Sequence, residues 1–83
     1  MRIYMQKPPV IDKAPRNYHL HLQEDLLEGR TLIRERGYQG ASGPVNRQHF
    51  DDQAAAQAAM MKIRDEQIKR GYQVVFMQAQ PLT

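Results

Sequence analysis

The 83-residue chain contains no cysteine and no tryptophan, and only two of its residues are phenylalanine. The absence of cysteine excludes a disulfide scaffold, a thiolate metal site and a cysteine nucleophile. No apolar run approaches the roughly 20 residues that a membrane-spanning helix needs, and the N-terminal residues lack the apolar stretch of a signal peptide. We therefore expect a cytoplasmic protein with no membrane contact, no metal and no other cofactor.

Length and charge narrow the possibilities further. A chain of 9.7 kDa allows one small domain, here residues 1–83, and its core is too small to wall off a deep substrate cavity. We therefore expect a protein that is not an enzyme and has no catalytic residues. The net charge is +3, and the whole excess lies within residues 1–50, where six of the eight cations are arginines. Arginine offers a planar fork that matches phosphate and carboxylate groups.

Alternating apolar and polar residues predict β-strands, most clearly at residues 17–23. The other predicted strands cover residues 2–6, 30–36, 45–50 and 72–78. The last of them contains four consecutive apolar residues, so we expect it to be a central strand that is buried on both faces. We expect the first strand to lie at an edge, where it can pair with another chain.

One helix is predicted between the last two strands. Asp51 or Asp52 is a suitable N-cap, and Gly71 is the expected end. A narrow, alanine-rich apolar stripe recurs at helical spacing and can approach a sheet closely; it consists of Ala56, Ala59, Met60, Ile63 and Gln67. Residues 7–16 form a Pro-rich loop and residues 79–83 a tail. The fold class is therefore α+β: a small antiparallel sheet of about five strands with one helix packed on one face.

Residues 30–43, with the sequence Arg-Thr-Leu-Ile-Arg-Glu-Arg-Gly-Tyr-Gln-Gly-Ala-Ser-Gly, resemble the signature strand and turn of the WGR domain family. The resemblance covers about residues 16–76 and includes the preceding strand, the Ala-rich helix and Lys69-Arg70-Gly71-Tyr72. It implies a small antiparallel sheet with one helix, of the kind found in stand-alone bacterial proteins and in DNA-dependent poly(ADP-ribose) polymerases. In those polymerases the domain contacts DNA near a strand break and is not catalytic.

The Trp-Gly-Arg signature that names this family is altered in the chain. Arg36 stands where the tryptophan belongs, Gly37 is retained, and Tyr38 replaces the arginine. Arginine offers charge and a thin stacking plane in place of a large indole ring. The resemblance therefore implies the fold more strongly than it implies recognition of DNA ends.

The candidate nucleic-acid-binding residues are Arg30, Arg34, Arg36, Tyr38 and Arg47. The first three lie an even number of residues apart on one strand and therefore project from one face of the sheet. There they form a cationic stripe that can bind phosphate, with Tyr38 as a ring for stacking. Arg47 joins them if the register of the neighbouring strand allows it. The alternative interpretation is a solvated face with weak, passing ion pairs.

Two further patterns are weaker. His19 and His21 are spaced so that they can share a metal, with His49 as a third ligand, but exposed polar strand residues show the same pattern. Ser42 lies between glycines without the turn pattern of a serine nucleophile. We therefore predict a non-catalytic WGR-like module that binds DNA, another nucleic acid or another polyanion. The alternative is a protein–protein adaptor or self-associating subunit that does not bind nucleic acid.

Overall fold

The computed structural model describes residues 1–9, 13–26, 28–41 and 43–78, which form five strands and one helix. In chain order these are β1 (Arg2–Lys7), β2 (Arg16–Glu24), β3 (Arg30–Tyr38), β4 (Val45–Phe50), α1 (Gln53–Lys69) and β5 (Gln73–Gln78). The predicted α+β class is confirmed. The predicted tail at 79–83, part of the Pro-rich loop, and Ser42 lie outside the described residues.

The strands form a single antiparallel sheet in the order β4-β3-β2-β1-β5. After the helix, the chain returns to pair β5 with the free side of β1. The expectation that the first strand lies at an edge is therefore wrong, since β1 has a neighbour on each side. The two edges are β4 and β5.

The core lies between the sheet and the helix. Alternation along the strands places one set of side chains under the helix, and we call that side of the sheet the helix face and the other side the open face. The buried apolar residues are Ile3, Met5, Tyr18, Leu20, Leu22, Leu32, Ala56, Met60 and Tyr72. Ala59 and Ile63 pack against them as partly buried residues, so the predicted helical stripe is confirmed.

The ends of the helix follow from local hydrogen bonding. Asp52 is the N-cap, and its Oδ1 accepts a hydrogen bond of 2.8 Å from the Ala54 backbone N–H. At the other end, the Tyr72 N–H donates to the Gln67 carbonyl at 3.0 Å. Gly71 has a φ of +100°, in the left-handed region that favours glycine, and this turns the chain from α1 into β5.

The prediction that the last strand is central and buried on both faces is wrong. Four consecutive apolar residues of β5, from Val74 to Met77, are between 40% and 57% exposed. The cause is topological: β5 lies at the edge of the sheet, whereas the helix packs mainly against β2, β3 and β4. No helix within the described residues is long and apolar enough to cross a membrane.

Candidate nucleic-acid interface

Positive charge collects at one end of the sheet, where β1 and β3 end and β2 and β4 begin. Because α1 runs toward this end, its last cations arrive there too, close to the start of β5. We call this region the basic end; its cations are Lys7, Lys13, Arg16, Arg36, Lys69 and Arg70. Carboxylates collect at the opposite, acidic end: Glu24, Asp25, Glu28, Asp51 and Asp52. Arg2 and Arg30 also lie at the acidic end, and Asp65 and Glu66 lie in the last turns of α1 near the basic end. Among the described residues, cations still outnumber carboxylates at the basic end and carboxylates outnumber cations at the acidic end, so the molecule is electrically polarised along its strands.

Two cations of the basic end lie directly opposite each other. Lys7 pairs with Arg16 across β1 and β2, an arrangement of like charges that costs stability. The Lys7 ammonium lies 6.0 Å from the ring centre of Tyr72, and the Arg16 guanidinium lies 5.4 Å from that of Tyr38. None of the six cations forms an ion pair with another described residue. Their charge is therefore available to an anionic ligand.

A cavity of about 70 Å³ lies among these cations. Its lining, within the part of the chain that the structure describes, consists of Lys7, Pro8, Lys13, Ala14, Arg16 and Tyr38. Three of these six described residues carry a positive charge, and none of the six is acidic. A small cavity with three cations suits an anionic group such as phosphate, because lysine and arginine supply charge-assisted hydrogen bonds to its oxygens.

A larger cleft, of about 300 Å³, lies next to the basic end. It is lined by Tyr4, Asn17, His19, Glu35, Arg36, Gly37, Tyr38, Ala41, Gly43 and Val45. The loop after β3 shapes it by folding close to the strand: the Arg36 N–H donates to the Pro44 carbonyl at 3.3 Å. Glycine is needed at position 43, since a Cβ there would overlap the Arg36 carbonyl oxygen. A Cβ on Gly37 would make a tight contact of 3.2 Å with the Gly43 Cα.

A row of rings on the open face leads away from this cleft. Phe76 pairs with Tyr4 across β5 and β1, and Tyr4 pairs in turn with His19 on β2. The Tyr4 and His19 rings meet edge to face at 6.1 Å, and the His19 and His21 rings stack at 6.4 Å. The Gln6 amide donates to the Tyr4 hydroxyl at 3.3 Å, which fixes that ring further. The open face thus offers planar groups for stacking.

The predicted stripe of arginines lies on the side of the sheet that the helix covers. The register confirms that Arg30, Arg34 and Arg36 share a face, but it is the helix face, because Leu32 between them is buried beneath α1. Arg30 lies at the acidic end. Its guanidinium donates to the Gln53 side chain at 3.0 Å and lies 3.5 Å from the Glu24 carboxylate. Arg30 therefore links the first residue of the helix to the sheet through these polar contacts.

The other predicted residues divide between two places. Arg34 lies beside the helix in a small cavity that Ile63 also lines, while Arg47 pairs with Ile33 and so lies on the open face. Arg47 therefore does not join the stripe. Arg36 and Tyr38 both border the cleft, and Tyr38 also lines the cavity of about 70 Å³ at the basic end. The structure thus brings together two of the five predicted residues.

Sequence reasoning missed Lys7, Lys13, Arg16, Lys69 and Arg70 as members of one group. The signal that points to them is the order of elements: hairpin partners place the end of one strand beside the start of the next. Lys7 and Arg16 flank the Pro-rich loop between two predicted strands, and Lys69 and Arg70 close the helix. Pairing the two strands of each predicted hairpin would have placed these cations at one end of the sheet.

His49 takes part in a separate cluster at the acidic end. Its Nδ1 lies 2.5 Å from Asp25 Oδ2 and its Nε2 lies 2.9 Å from Asp51 Oδ1. Asp25 is held in turn by the Thr31 hydroxyl, which donates to Oδ2 at 3.0 Å. His49 is therefore engaged away from His19 and His21. Among the residues that the structure describes, no three histidine or carboxylate side chains are grouped so that they can hold a metal ion.

Stability is expected to depend on pH through His49. Hydrogen bonds to Asp51 and then Asp25 raise the pKa of His49 above its ordinary value of 6.5. The stabilisation is therefore complete below that value and is lost as the pH rises through the raised pKa of the folded state. Thermal unfolding followed from pH 5 to 9 should show this loss, and His49→Gln should remove it.

The control for this prediction is His21, whose pKa shifts in the other direction. Burial and then the charge of Arg2 lower the pKa of His21, so its contribution favours the fold at higher pH. His21→Gln should therefore leave the loss at high pH in place. Equal pH profiles for the parent chain and His49→Gln would contradict the prediction.

Comparison with known proteins gives a match to a family sequence model. No curated protein and no solved structure matches the chain. The sequence model of the WGR domain family, however, matches residues 1–78, a range that includes β1 and every other described strand. The chain therefore belongs to the WGR domain family, whose members are modules of the nucleic-acid-binding type.

Proposed function

We propose that this domain binds nucleic acid, DNA in the first place, and that the phosphate backbone lies on the basic end. The observation that carries the proposal is the cavity whose lining includes Lys7, Lys13 and Arg16, immediately beside the cleft of the open face. These cations form no ion pair with a described residue. Such cations attract phosphates by charge and release the counterions of the nucleic acid on binding. The contacts with phosphate set position and affinity, not sequence preference.

The cleft supplies the second part of the interface. Tyr4 and Tyr38 line it, together with the polar side chains of Asn17 and Glu35. An unpaired base or a strand end that enters the cleft finds ring faces for stacking and polar groups for its edge. Such a ligand offers its phosphates to the basic end at the same time, which favours exposed nucleotides over the interior of a continuous duplex.

The altered signature is compatible with this role. The family motif places a ring, a glycine and a cation in that order, whereas Arg36-Gly37-Tyr38 places a cation, a glycine and a ring. Residues two apart on a strand lie on the same face, so both orders present one ring and one cation side by side. The exchange therefore changes where charge and stacking act, while it keeps both kinds of contact.

We infer a binding role without catalysis, in the cytoplasm. His19 and Glu35, which pair across β2 and β3, are the histidine and the carboxylate among the described residues that line the cleft. Glu35 is exposed, and the pair lies on an open sheet face from which water is not excluded. General acid–base chemistry gains most in sites that exclude water, and this surface does not enclose the pair.

Fluorescence polarisation with blunt duplex, nicked duplex, single-stranded DNA and RNA tests the proposal. The double variant Lys7→Glu/Arg16→Glu should bind at least about tenfold more weakly, and its log–log salt slope should fall by about two units, one for each cation that no longer neutralises a phosphate. Arg47→Glu/Lys62→Glu is the matched control, because it changes the net charge equally at exposed sites away from the basic end. It should weaken binding by less than about threefold.

Two results would overturn the proposal. One is that the parent chain binds none of the four nucleic acids at low salt. The other is that both double variants lose affinity equally, since this would show a general effect of net charge and not a site at the basic end. Circular dichroism of each variant confirms that the fold is retained before binding is compared.

A further inference from the structure

The edge strand β5 leaves an unusual surface open. Its six residues, Gln-Val-Val-Phe-Met-Gln, carry no charge and no proline, and its four central side chains are all exposed. Natural edge strands are commonly protected by charges or proline, because a bare apolar edge pairs with other strands. The other edge strand, β4, does carry such protection in Arg47 and several polar residues.

An irregularity in β5 gives the strand a symmetric pattern of faces. Val74 pairs with Met5 and Phe76 pairs with Tyr4, so Val75 is an extra residue that forms a β-bulge. Through these pairings Val74 and Met77 lie on the helix face, whereas Gln73, Phe76 and Gln78 lie on the open face. A β-bulge sets two residues of one strand opposite one residue of its neighbour, and we assign Val75 and Phe76 to the position opposite Tyr4, which places Val75 on the open face. The order of faces is therefore the same when the strand is read in either direction.

We propose that β5 pairs antiparallel with β5 of a second copy of this chain, around a two-fold axis between Val75 and Phe76. The pairing sets Val74 opposite Met77 of the other copy, Val75 opposite Phe76 and Gln73 opposite Gln78. Every pair then joins residues on the same face and of similar polarity. A two-fold interface requires this self-complementarity. In a strand without the bulge, an axis between two neighbouring residues would set residues of different faces opposite each other.

The charges of the domain favour the same partner. Because paired β5 strands run in opposite directions, the basic end of each copy lies beside the acidic end of the other. The two electrically polarised domains therefore attract each other in this orientation, and β5 itself adds no repulsion because it is uncharged. The dimer also makes β5 a central strand, the position that its four consecutive apolar residues are typical of.

The proposed dimer has a defined shape. A two-fold axis perpendicular to the sheet places both helices on one side and both open faces on the other, in one continuous sheet of ten strands. This inference depends on β5 and on the distribution of charge, and not on the proposed binding of nucleic acid. A dimer that does not bind nucleic acid and a monomer that does bind it are therefore distinguishable results.

Sedimentation velocity over a range of concentrations tests the dimer. The parent chain should approach twice its mass of 9.7 kDa as concentration rises. Val75→Lys should remain monomeric, because a charge at the two-fold axis would face an apolar strand. Val45→Lys is the matched control, since it places the same change at an exposed valine of the other edge strand; it should remain dimeric.

Cross-linking fixes the register, because the chain has no cysteine of its own. In a buffer of oxidised glutathione, Val74→Cys/Met77→Cys should give a disulfide-linked dimer on a non-reducing gel. Val74→Cys alone should give none: the two copies of position 74 stand three residues apart along the pairing, roughly 10 Å, beyond the reach of a disulfide. A parent chain that is monomeric at every concentration, or dissociation by Val45→Lys and not by Val75→Lys, would refute the proposal.

Discussion

Replacing Leu20 with alanine is expected to lower the free energy of unfolding by about 3 kcal/mol. Leu20 is fully buried at the middle of β2, the central strand of the sheet, and belongs to the cluster that packs against Met60 of the helix. The variant loses the transfer energy of the deleted methyl groups and leaves a cavity, which the neighbouring strands cannot fill because each is hydrogen-bonded on both sides. Small domains are stable by only about 0.05–0.15 kcal/mol per residue, so this is a large share of the total.

Urea denaturation followed by circular dichroism measures the effect. Leu26→Ala is the matched control: the chemistry is the same, but Leu26 is fully exposed, so its effect should stay within about 0.5 kcal/mol. The two variants should therefore differ in their urea midpoints while the slope of the transition stays the same. Equal midpoints would show that Leu20 is not part of the packed core.

Much of the fold follows from patterns that act within a few residues. Alternation at residues 17–23 predicts β2. The carboxylates of Asp51 and Asp52, either of which can serve as N-cap, and the glycine at position 71 predict the two ends of the helix. These signals are local, because a hydrogen bond to a free N–H or a positive φ depends on one residue and its neighbours. The core stripe of α1, from Ala56 to Gln67, follows in the same way from the helical period.

The place of β5 could not be predicted from the same kind of pattern. Four apolar residues in a row indicate burial on both faces, but they do not say which strand or which chain provides it. In one chain the helix covers β2, β3 and β4, and β5 remains exposed at the edge. The composition of a strand therefore indicates the environment that it needs, whereas the topology of one chain does not always provide it.

The candidate site shows a related limit. The alternation of side chains along a strand correctly places Arg30, Arg34 and Arg36 on one face of the sheet. It does not show which face the helix covers. That choice depends on Leu32, which lies between them and belongs to the core. The grouping of Lys7 and Arg16 with Tyr38 depends on hairpin register across three strands, and residues far apart in sequence meet only when that register is known.

The other large effect is expected from Gly43→Ala, which acts on the loop that shapes the cleft. A Cβ at this position would overlap the carbonyl oxygen of Arg36 and would lie 3.0 Å from the Gly37 Cα. Both are backbone atoms, so no side-chain rotation relieves the clash, and the loop must move away from β3. The movement breaks the hydrogen bond from the Arg36 N–H to the Pro44 carbonyl. Overpacking and the broken hydrogen bond together should cost about 2–4 kcal/mol.

Chemical denaturation gives the decrease in stability, and amide chemical shifts of Arg36 and Gly37 give its location. Gly40→Asn is the control in the same loop: a Cβ there meets no atom within 4 Å, and asparagine is among the residues least strained by a positive φ, here +83°. It should lower stability clearly less than Gly43→Ala does, because it adds backbone strain but no clash. Because the displaced loop opens the cleft between Tyr4 and Tyr38, Gly43→Ala should also weaken nucleic-acid binding, whereas the salt slope set by the basic end should persist. A variant as stable as Gly40→Asn, with unshifted Arg36 and Gly37 amides, would contradict the close packing of this loop on β3.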